Sequence, residues 1–556
     1  MTTTSVRLSD LSLKFPSLIS YRAESIFLRQ RVLTRFNNHL SVLDYVEKAQ
    51  TADFETAIHY SRYGKFQTLL LAVCGTIYAT CAISTTTLSF VLPSAECDFN
   101  LSSIDKGKLS AMPLIGMIFG CSLWGSIADS KGRKVAIMSS LLVDFLAAFI
   151  SSFAQSFQLF LICRFFNGFG IIGATSIIFS YLGEFASKKH RDVMLGRLEV
   201  FWNIGVIFLP GLAWILLNKT MLDNFSDHGN FSPWRIFVLV CSFPSLISVI
   251  MLYFLPETPK FLISKGQYEK AKIVFQKVFT FNTGHPYYVY PVMTLEDEYE
   301  NNNNDTETDV KEIPFKTKVY QKMCNFAEDM KMLFEQPYLK YLGITCFVDF
   351  GLMASYYTLI MWFPEIFERF NQFELTHPNM TASVCIVSQT NDSIEVLFPK
   401  PCNPALNSRV FLDTIIIGLS CIPTSVSLSF FMKKFGKKFV LIVGLVMSGL
   451  STLSLNWVQS TTQTLVLSCI FEALTSILEA VIFCVIVDLF PTNLRAIALA
   501  LTASSGRIGA IFGNVVFGLL IDVMCFVPIY LFGILLIASG MLCVALPKTD
   551  KYLVIH

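Results

Sequence analysis

The sequence predicts an all-α membrane protein with twelve transmembrane helices in two pseudo-symmetric six-helix halves. Three observations carry this prediction. Apolar residues gather into twelve blocks of helical length, basic residues keep to alternate loops, and two loops of the first half recur in the second. Of 556 residues, 53% are hydrophobic and 15% are charged, where soluble domains carry roughly 25% charge. A net charge of +2 gives no reason to expect a nucleic-acid partner.

Crossing a hydrocarbon core takes about 20 apolar residues as helix. Blocks of that kind lie near 67–91, 110–128, 135–155, 157–182, 196–217, 235–255, 340–363, 409–431, 439–456, 463–487, 496–521 and 526–546. Counted in order they are spans one to twelve. Lys and Arg stay on the cytosolic side of a membrane. With the N-terminus inside, the inner turns hold Lys131, Arg133 and Lys134, then Lys188, Lys189 and Arg191, then Lys433, Lys434, Lys437 and Lys438. The outer turns near 154–157, 456–463 and 522–527 hold no Lys or Arg. Glycosylation sequons at Asn100, Asn218, Asn224, Asn230, Asn379 and Asn391 all fall outside in this topology, and only Asn304 falls inside.

The organisation expected is a cytosolic tail over 1–66, a six-helix half over 67–255, a cytosolic linker over 256–338, a second half over 339–546 and a cytosolic tail over 547–556. No cleavable signal sequence is expected in the first 66 residues, because no short apolar core precedes a small-residue cleavage site. The linker begins as an amphipathic surface helix, KFLISKGQYEKAKIVFQKVF, and passes into the acidic, Asn-rich stretch LEDEYENNNNDTETD.

Gly132, Arg133 and Lys134 recur as Gly436, Lys437 and Lys438, and Glu184 and Arg191 recur as Asp488 and Arg495, all at one offset (133 to 437, 184 to 488). Parallel six-span halves with a site between them near mid-membrane are a transporter architecture. The turn between spans two and three reads GSIADSKGRK and resembles the major facilitator superfamily signature G-x-x-x-D-x-x-G-R-K/R. Gly125 and Gly132 suit close helix approach and a tight turn. The resemblance makes Asp129, Arg133, Glu184, Arg191, Asp488 and Arg495 the expected gating residues, with Asp129 pairing across neighbouring helix ends. Lys433 takes the place of that acid in the second half.

Further stretches narrow the family. SYLGEFASKKHRD, VDLFPTNLRA and LPETPKFLISKG resemble segments of sugar and organic-ion porters. FVLPSAE, SPWRIFVLVCSFPS, YYTLIMWFPEIF and GNVVFGLLIDVMCFVPI are similar to the synaptic vesicle glycoprotein 2 family, from about residue 54 to the C-terminus. Three features depart from that family. Cys81, Ala82, Ile83 and Ser84 stand where it carries Asp-Gly-x-Glu in span one. Glu479, Ala480, Val481, Ile482 and Phe483 replace its Trp-Asn-x-x-Asp in span ten. Its long outer domain is reduced here to about 364–408.

An ionisable residue at the membrane centre costs roughly 3 kcal/mol or more, so each is a candidate functional group. Glu472 and Glu479 lie seven residues apart on nearly one face of span ten. Arg507 in span eleven stands twelve residues past Arg495, about 18 Å into the membrane, and between the glutamates in depth. Substrate or a proton would compete for one partner of that pair; the alternative reading is a structural salt bridge joining two helices. Arg164, in RFFNGFGIIG, is a second candidate, with Gly168, Gly170 and Gly173 permitting tight helix contact. Asp144 and Asp349 are single acids within spans three and seven. Trp202, Asn203, Tyr356 and Tyr357 fall where the family also has Trp and paired Tyr, offering a flat apolar wall and an amide. Trp362 reads as an interfacial anchor.

Most of the fifteen cysteines lie inside spans as small apolar packers. Cys385 and Cys402 share an outer loop as a candidate disulfide, with Cys97 free. No metal spacing, nucleotide-binding motif or catalytic set is visible, so neither a cofactor nor an enzyme is expected. The expected protein is a monomeric transporter in a lipid bilayer, of a vesicle or the plasma membrane, that moves a small polar organic solute by alternating access. The solute would be an organic ion or sugar-like, and loss of the span-one acids weakens proton coupling. The competing expectation is a non-transporting vesicle-membrane protein that binds ligands or partners.

Overall fold

The structure is a computed structural model that describes residues 51–218, 232–295, 328, 330–376, 385, 387 and 406–547. Twelve helices among these residues are long and apolar enough to cross a membrane. The first half contains span one (Lys65–Ser94), two (Ser103–Lys131), three (Arg133–Ser152), four (Phe157–Gly183), five (Lys188–Leu216) and six (Pro233–Tyr253). The second contains span seven (Tyr338–Leu375), eight (Ser408–Leu428), nine (Lys437–Trp457), ten (Thr461–Leu489), eleven (Ile497–Met524) and twelve (Phe526–Ala545). The linker joins spans six and seven, so the helix ends on its side form one face of the bundle, the linker face. The opposite ends form the far face.

Local chemistry starts and stops these helices. Ser102, Ser156 and Ser460 each accept a hydrogen bond from the backbone N–H three residues on, capping spans two, four and ten. Gly132 ends span two, and Gly436 ends the helix Ser408–Phe435 that contains span eight, with φ of +110° and +85°, a region that favours glycine. Beyond each glycine a lysine reaches the end of a neighbouring helix: Lys134 Nζ donates to the Tyr253 carbonyl at 2.7 Å, and Lys438 Nζ to that of Val544 at 2.8 Å. A basic group there satisfies a carbonyl without an intrahelical partner. The sequence repeat is thus also a repeat of interactions.

Glycines set the closest contacts. A Cβ on Gly168 would stand 1.9 Å from the Pro113 carbonyl oxygen, and one on Gly170 would stand 2.6 Å from the Asp144 nitrogen. Gly107 and Gly518 bring spans two and eleven together across the two halves near the far face. Gly125 meets nothing within 4 Å, contrary to the expected close approach. The glycine in the turn that is hemmed in is Gly132, beside the Glu257 carboxylate.

The end of the N-terminal tail and the start of the linker fold on one another. Thr51–Ala52 pairs in parallel with Thr294–Leu295. Phe54, Ala57 and Ile58 pack with Phe275, Phe279, Tyr290 and Val292 in a small apolar core. The amphipathic linker helix runs over Tyr268–Thr283; its Phe275 and Phe279 pack on the tail, while Ala271, Val274 and Val278 join the main core. Residues 1–50 and most of the acidic stretch lie outside the described residues, as do Asn224, Asn230, Asn304, Asn379 and Asn391. Asn100 is exposed and Asn218 is half-buried.

Candidate functional site

Arg507 lies at the centre of the second half. Its guanidinium donates to the Tyr357 hydroxyl at 2.7 Å, sits 5.2 Å from that ring's centroid, and approaches Glu479 Oε1 at 3.9 Å. Asp349 of span seven, 1% exposed, interacts electrostatically with both Arg507 and Glu479. Gly506 makes room for it, since a Cβ there would fall 2.3 Å from Asp349 Oδ2. Glu472, also 1% exposed, lies one level further from the linker face beside Tyr356. Tyr356 and Tyr357 meet edge to face at 5.3 Å.

The first half supplies the facing wall. Tyr78 of span one packs on Trp202 of span five with ring centroids 5.2 Å apart, and on Phe179 of span four at 5.2 Å. Its hydroxyl approaches Glu199 Oε2 at 3.5 Å. Glu199 and Glu479, one from each half, lie close enough to interact electrostatically. Trp202 also reaches Tyr356 of the second half, and Asn203 Nδ2 donates to Ser425 Oγ at 2.8 Å. Trp202, Asn203, Tyr356, Tyr357, Glu472, Glu479 and Arg507 therefore line one region. Glu199, three residues before Trp202 on the same helix, escapes a reading that weighs each span's charges by family position. Its spacing from Trp202, close to one helical turn, is the signal that places it on the same face.

Arg164 lies elsewhere. It is 1% exposed inside the first half, where it donates to Ser151 Oγ at 2.7 Å and sits 4.8 Å from the Phe160 ring centroid. Asp144 belongs to the same interior: its carboxylate accepts from Ser84 at 2.8 Å, and also from Asn167 and Ser245. Ser84 occupies one of the positions where the span-one acids were expected, so an acid on span three stands beside the vacated place. Trp362 is fully buried against Phe517 at 5.0 Å, not an interfacial anchor.

The linker-face ion pairs follow the repeat. Arg133 pairs with Glu184 at 3.3 Å, and Lys437 pairs with Asp488 at 2.7 Å. Asp129 makes only a 3.6 Å contact with Arg133 of its own turn and points outward, 72% exposed; it does not bridge to a neighbouring helix as expected. Glu257 takes the inward place, its carboxylate accepting from the backbone N–H groups of Arg133 and Lys134. Arg191 pairs with Glu55 of the tail at 3.6 Å, and Arg495 contacts the Phe490 carbonyl. None of these contacts joins one half to the other.

The far face differs. Lys106, 1% exposed, donates to Glu96 at 2.9 Å and to Glu365 of span seven at 2.7 Å. Arg369 joins Glu365 and Asp522, each at 2.9 Å, and donates to Ser103 at 3.2 Å. Phe90 stacks on Phe411 nearby at 5.8 Å. The cluster ties span two of one half to spans seven and eleven of the other. Sequence reading missed it because these charges lie close to helix ends, where a basic residue usually signals an interface. Cys385 is bonded to Cys525, not Cys402, and Cys97 is disulfide-bonded, not free.

Comparison with known proteins accords with this geometry. Residues 66–388 match the family model "Sugar (and other) transporter", and residues 412–554 match "Major Facilitator Superfamily". Synaptic vesicle glycoprotein 2C of Mus musculus is 25% identical over 90% of this chain and 81% of its own length. Synaptic vesicle glycoprotein 2B of Homo sapiens is 26% identical over 91% and 87%, and 2A of Rattus norvegicus 34% identical over 58% and 44%. In structure, the partially occluded inward open xylose transporter XylE of E. coli aligns with TM-score 0.61 and 15% identity, over 87% of this chain and 99% of that one. The inward open form of XylE gives 0.60 at 16% identity, over 88% and 96%; these likenesses show the shared fold. The chain is a multi-pass membrane protein that belongs to the sugar (and other) transporter family of the major facilitator superfamily, with synaptic vesicle glycoprotein 2 proteins among its relatives.

Proposed function

We propose that this protein carries a small polar organic solute, an organic ion or a sugar-like compound, across its membrane by alternating access. The observation that carries this reading is the meeting of Glu479, Arg507 and Tyr357 with Tyr78, Glu199 and Trp202 between the two halves, under a far face tied by ion pairs. Solute would enter that region from the linker face, where the ion pairs hold each half together without tying one half to the other. Binding would draw the halves together at the linker face, and parting of Lys106 from Glu365 would open the far face. Arg133 with Glu184 and Lys437 with Asp488 would stiffen the linker-face ends of each half as they rock. In this reading the linker face and both termini are cytosolic, the membrane is that of a vesicle or the cell surface, and Arg507, held by Tyr357 and two acids, is the fixed charge that a bound solute displaces or shares.

Saturable uptake into proteoliposomes, measured for xylose, an organic anion and an organic cation with and without a pH gradient, tests the reading. Uptake by the natural protein that is lost in Arg507→Ala, with monodispersity and melting behaviour kept, supports it. One observation favours a second reading, a protein that binds ligand without moving it: Cys81 and Ser84 leave span one without an acid. Ligand binding without uptake or exchange under any gradient favours that reading.

A further inference from the structure

The charges around the region between the two halves do not balance. Among the described residues, four carboxylates lie there, Glu199, Asp349, Glu472 and Glu479, and the cationic side chain shown against any of them is Arg507, which interacts with Asp349 and Glu479. Arg507 already donates to Tyr357 and approaches Glu479 at 3.9 Å, while Asp349, with which it interacts electrostatically, keeps both carboxylate oxygens without a hydrogen-bond partner. Glu199 and Glu472 have no basic partner; the contacts of Glu199 are the Tyr78 hydroxyl and the electrostatic interaction with Glu479. Glu472 is 1% exposed, and its Oε2 has no hydrogen-bond partner. A buried acid in that position either takes up a proton or waits for a cation, because an unpaired charge is costly to keep away from water.

The surface between these two acids is aromatic. Glu199 contacts Tyr78, Tyr78 packs on Trp202, Trp202 reaches Tyr356, and Tyr356 lies beside Glu472. The row crosses from the first half to the second. Aromatic faces attract organic cations through the ring quadrupole, most strongly when water is excluded. A sugar would instead be read by amides and hydroxyls, and on this wall the amide of Asn203 already donates to Ser425. An anion would meet an excess of negative charge.

We propose that the site takes an organic ammonium ion, with Glu199 and Glu472 as its counter-charges and the row Tyr78, Trp202 and Tyr356 as the surface it rests on. The proposal rests on the transport reading only for the movement of the ligand; the binding site stands on the geometry above. A cation held between Glu199 of one half and Glu472 of the other would also offset the like charges of Glu199 and Glu479, and so favour closure of the halves around it.

The test separates binding from movement. Choline, phenethylamine and the neutral choline isostere 3,3-dimethylbutan-1-ol are titrated into the purified full-length protein by calorimetry, with xylose alongside, and all are then offered to proteoliposomes. The expected result is saturable binding of an ammonium probe, at least tenfold tighter than the isostere. Glu199→Gln and Glu472→Gln should each weaken the ammonium tenfold or more while leaving the isostere unchanged. Comparing choline with its uncharged isostere on the natural protein keeps the test valid if a variant misfolds. Ammonium binding no tighter than the isostere overturns the proposal, and so does ammonium binding that neither variant alters. Xylose uptake driven by protons and abolished by Glu199→Gln, with ammonium ignored, also overturns it, the acid then being a proton carrier, while transport itself stands. Charge-selective ammonium binding without uptake upholds the site and removes the transport reading.

Discussion

Lys106 Nζ lies 2.7 Å from Glu365 Oε1, a contact between spans two and seven in which both side chains are nearly removed from water. A buried ammonium is tolerable only with such partners, and removing one partner of a buried pair typically costs about 3–5 kcal/mol. Glu96, the other partner, is half-exposed and is a weaker anchor. Glu365→Gln should therefore destabilise the closed far face far more than Glu96→Gln. With Cys121→Ser as background, a cysteine placed at Ser110, which is buried in span two, should react several-fold faster with a membrane-impermeant maleimide from that side in Glu365→Gln. Equal reactivity in the two glutamate variants would mean that the pair does not hold the face closed.

The glycine contacts give a contrast within one structure. Gly168→Val places side-chain atoms where the Pro113 backbone already stands, and relief requires two helices to separate. Gly125→Ala adds a methyl into open space and gains helix propensity of about 1 kcal/mol. The first should abolish monodisperse protein, and the second should leave or raise its melting temperature. Comparable behaviour of the two, read by size-exclusion chromatography and thermal unfolding, would contradict the packing described.

The pairs Arg133–Glu184 and Lys437–Asp488 occupy equivalent places in the two halves. Partly exposed pairs contribute modestly, of order 1 kcal/mol, so single neutralisations at 184 or 488 should cost little stability. The exchange Arg133→Glu with Glu184→Arg should recover a good part of what either change alone loses. No recovery, measured as a double-mutant cycle in melting temperature, would assign these residues roles beyond pairing.

Cysteine connectivity is directly checkable. Non-reducing digestion followed by mass spectrometry should yield a Cys385–Cys525 linked peptide, and Cys525→Ser should free Cys385 for alkylation. Recovery of a Cys385–Cys402 peptide would instead return the pairing suggested by loop proximity.

Some of this was legible before any coordinates. Hydrophobic block length gives the spans, because each must cross the same thickness, and the single offset relating Arg133 to Lys437 and Glu184 to Asp488 gives the two halves. Depth counting along a helix placed Arg507 between Glu472 and Glu479, since rise per residue is fixed. What depth cannot give is azimuth. Arg164 has a depth compatible with a binding site but turns into the interior of its own half, towards Ser151 and Phe160. Asp129 was assigned to a neighbouring helix, whereas Glu257, a loop residue remote in sequence, takes that position. The far-face cluster depends on helices from different halves meeting, and no local pattern reports such a meeting.

Alternating access is the central claim, and it requires the two faces to move in opposite senses. Spin labels at Gln155 and Gln463 on the far face, and at Lys131 and Lys434 on the linker face, let double electron–electron resonance read both separations in bilayers. The account predicts that Glu365→Gln lengthens the Gln155–Gln463 distance and shortens the Lys131–Lys434 distance together. Fixed distances in both pairs, or changes of the same sign, would contradict it.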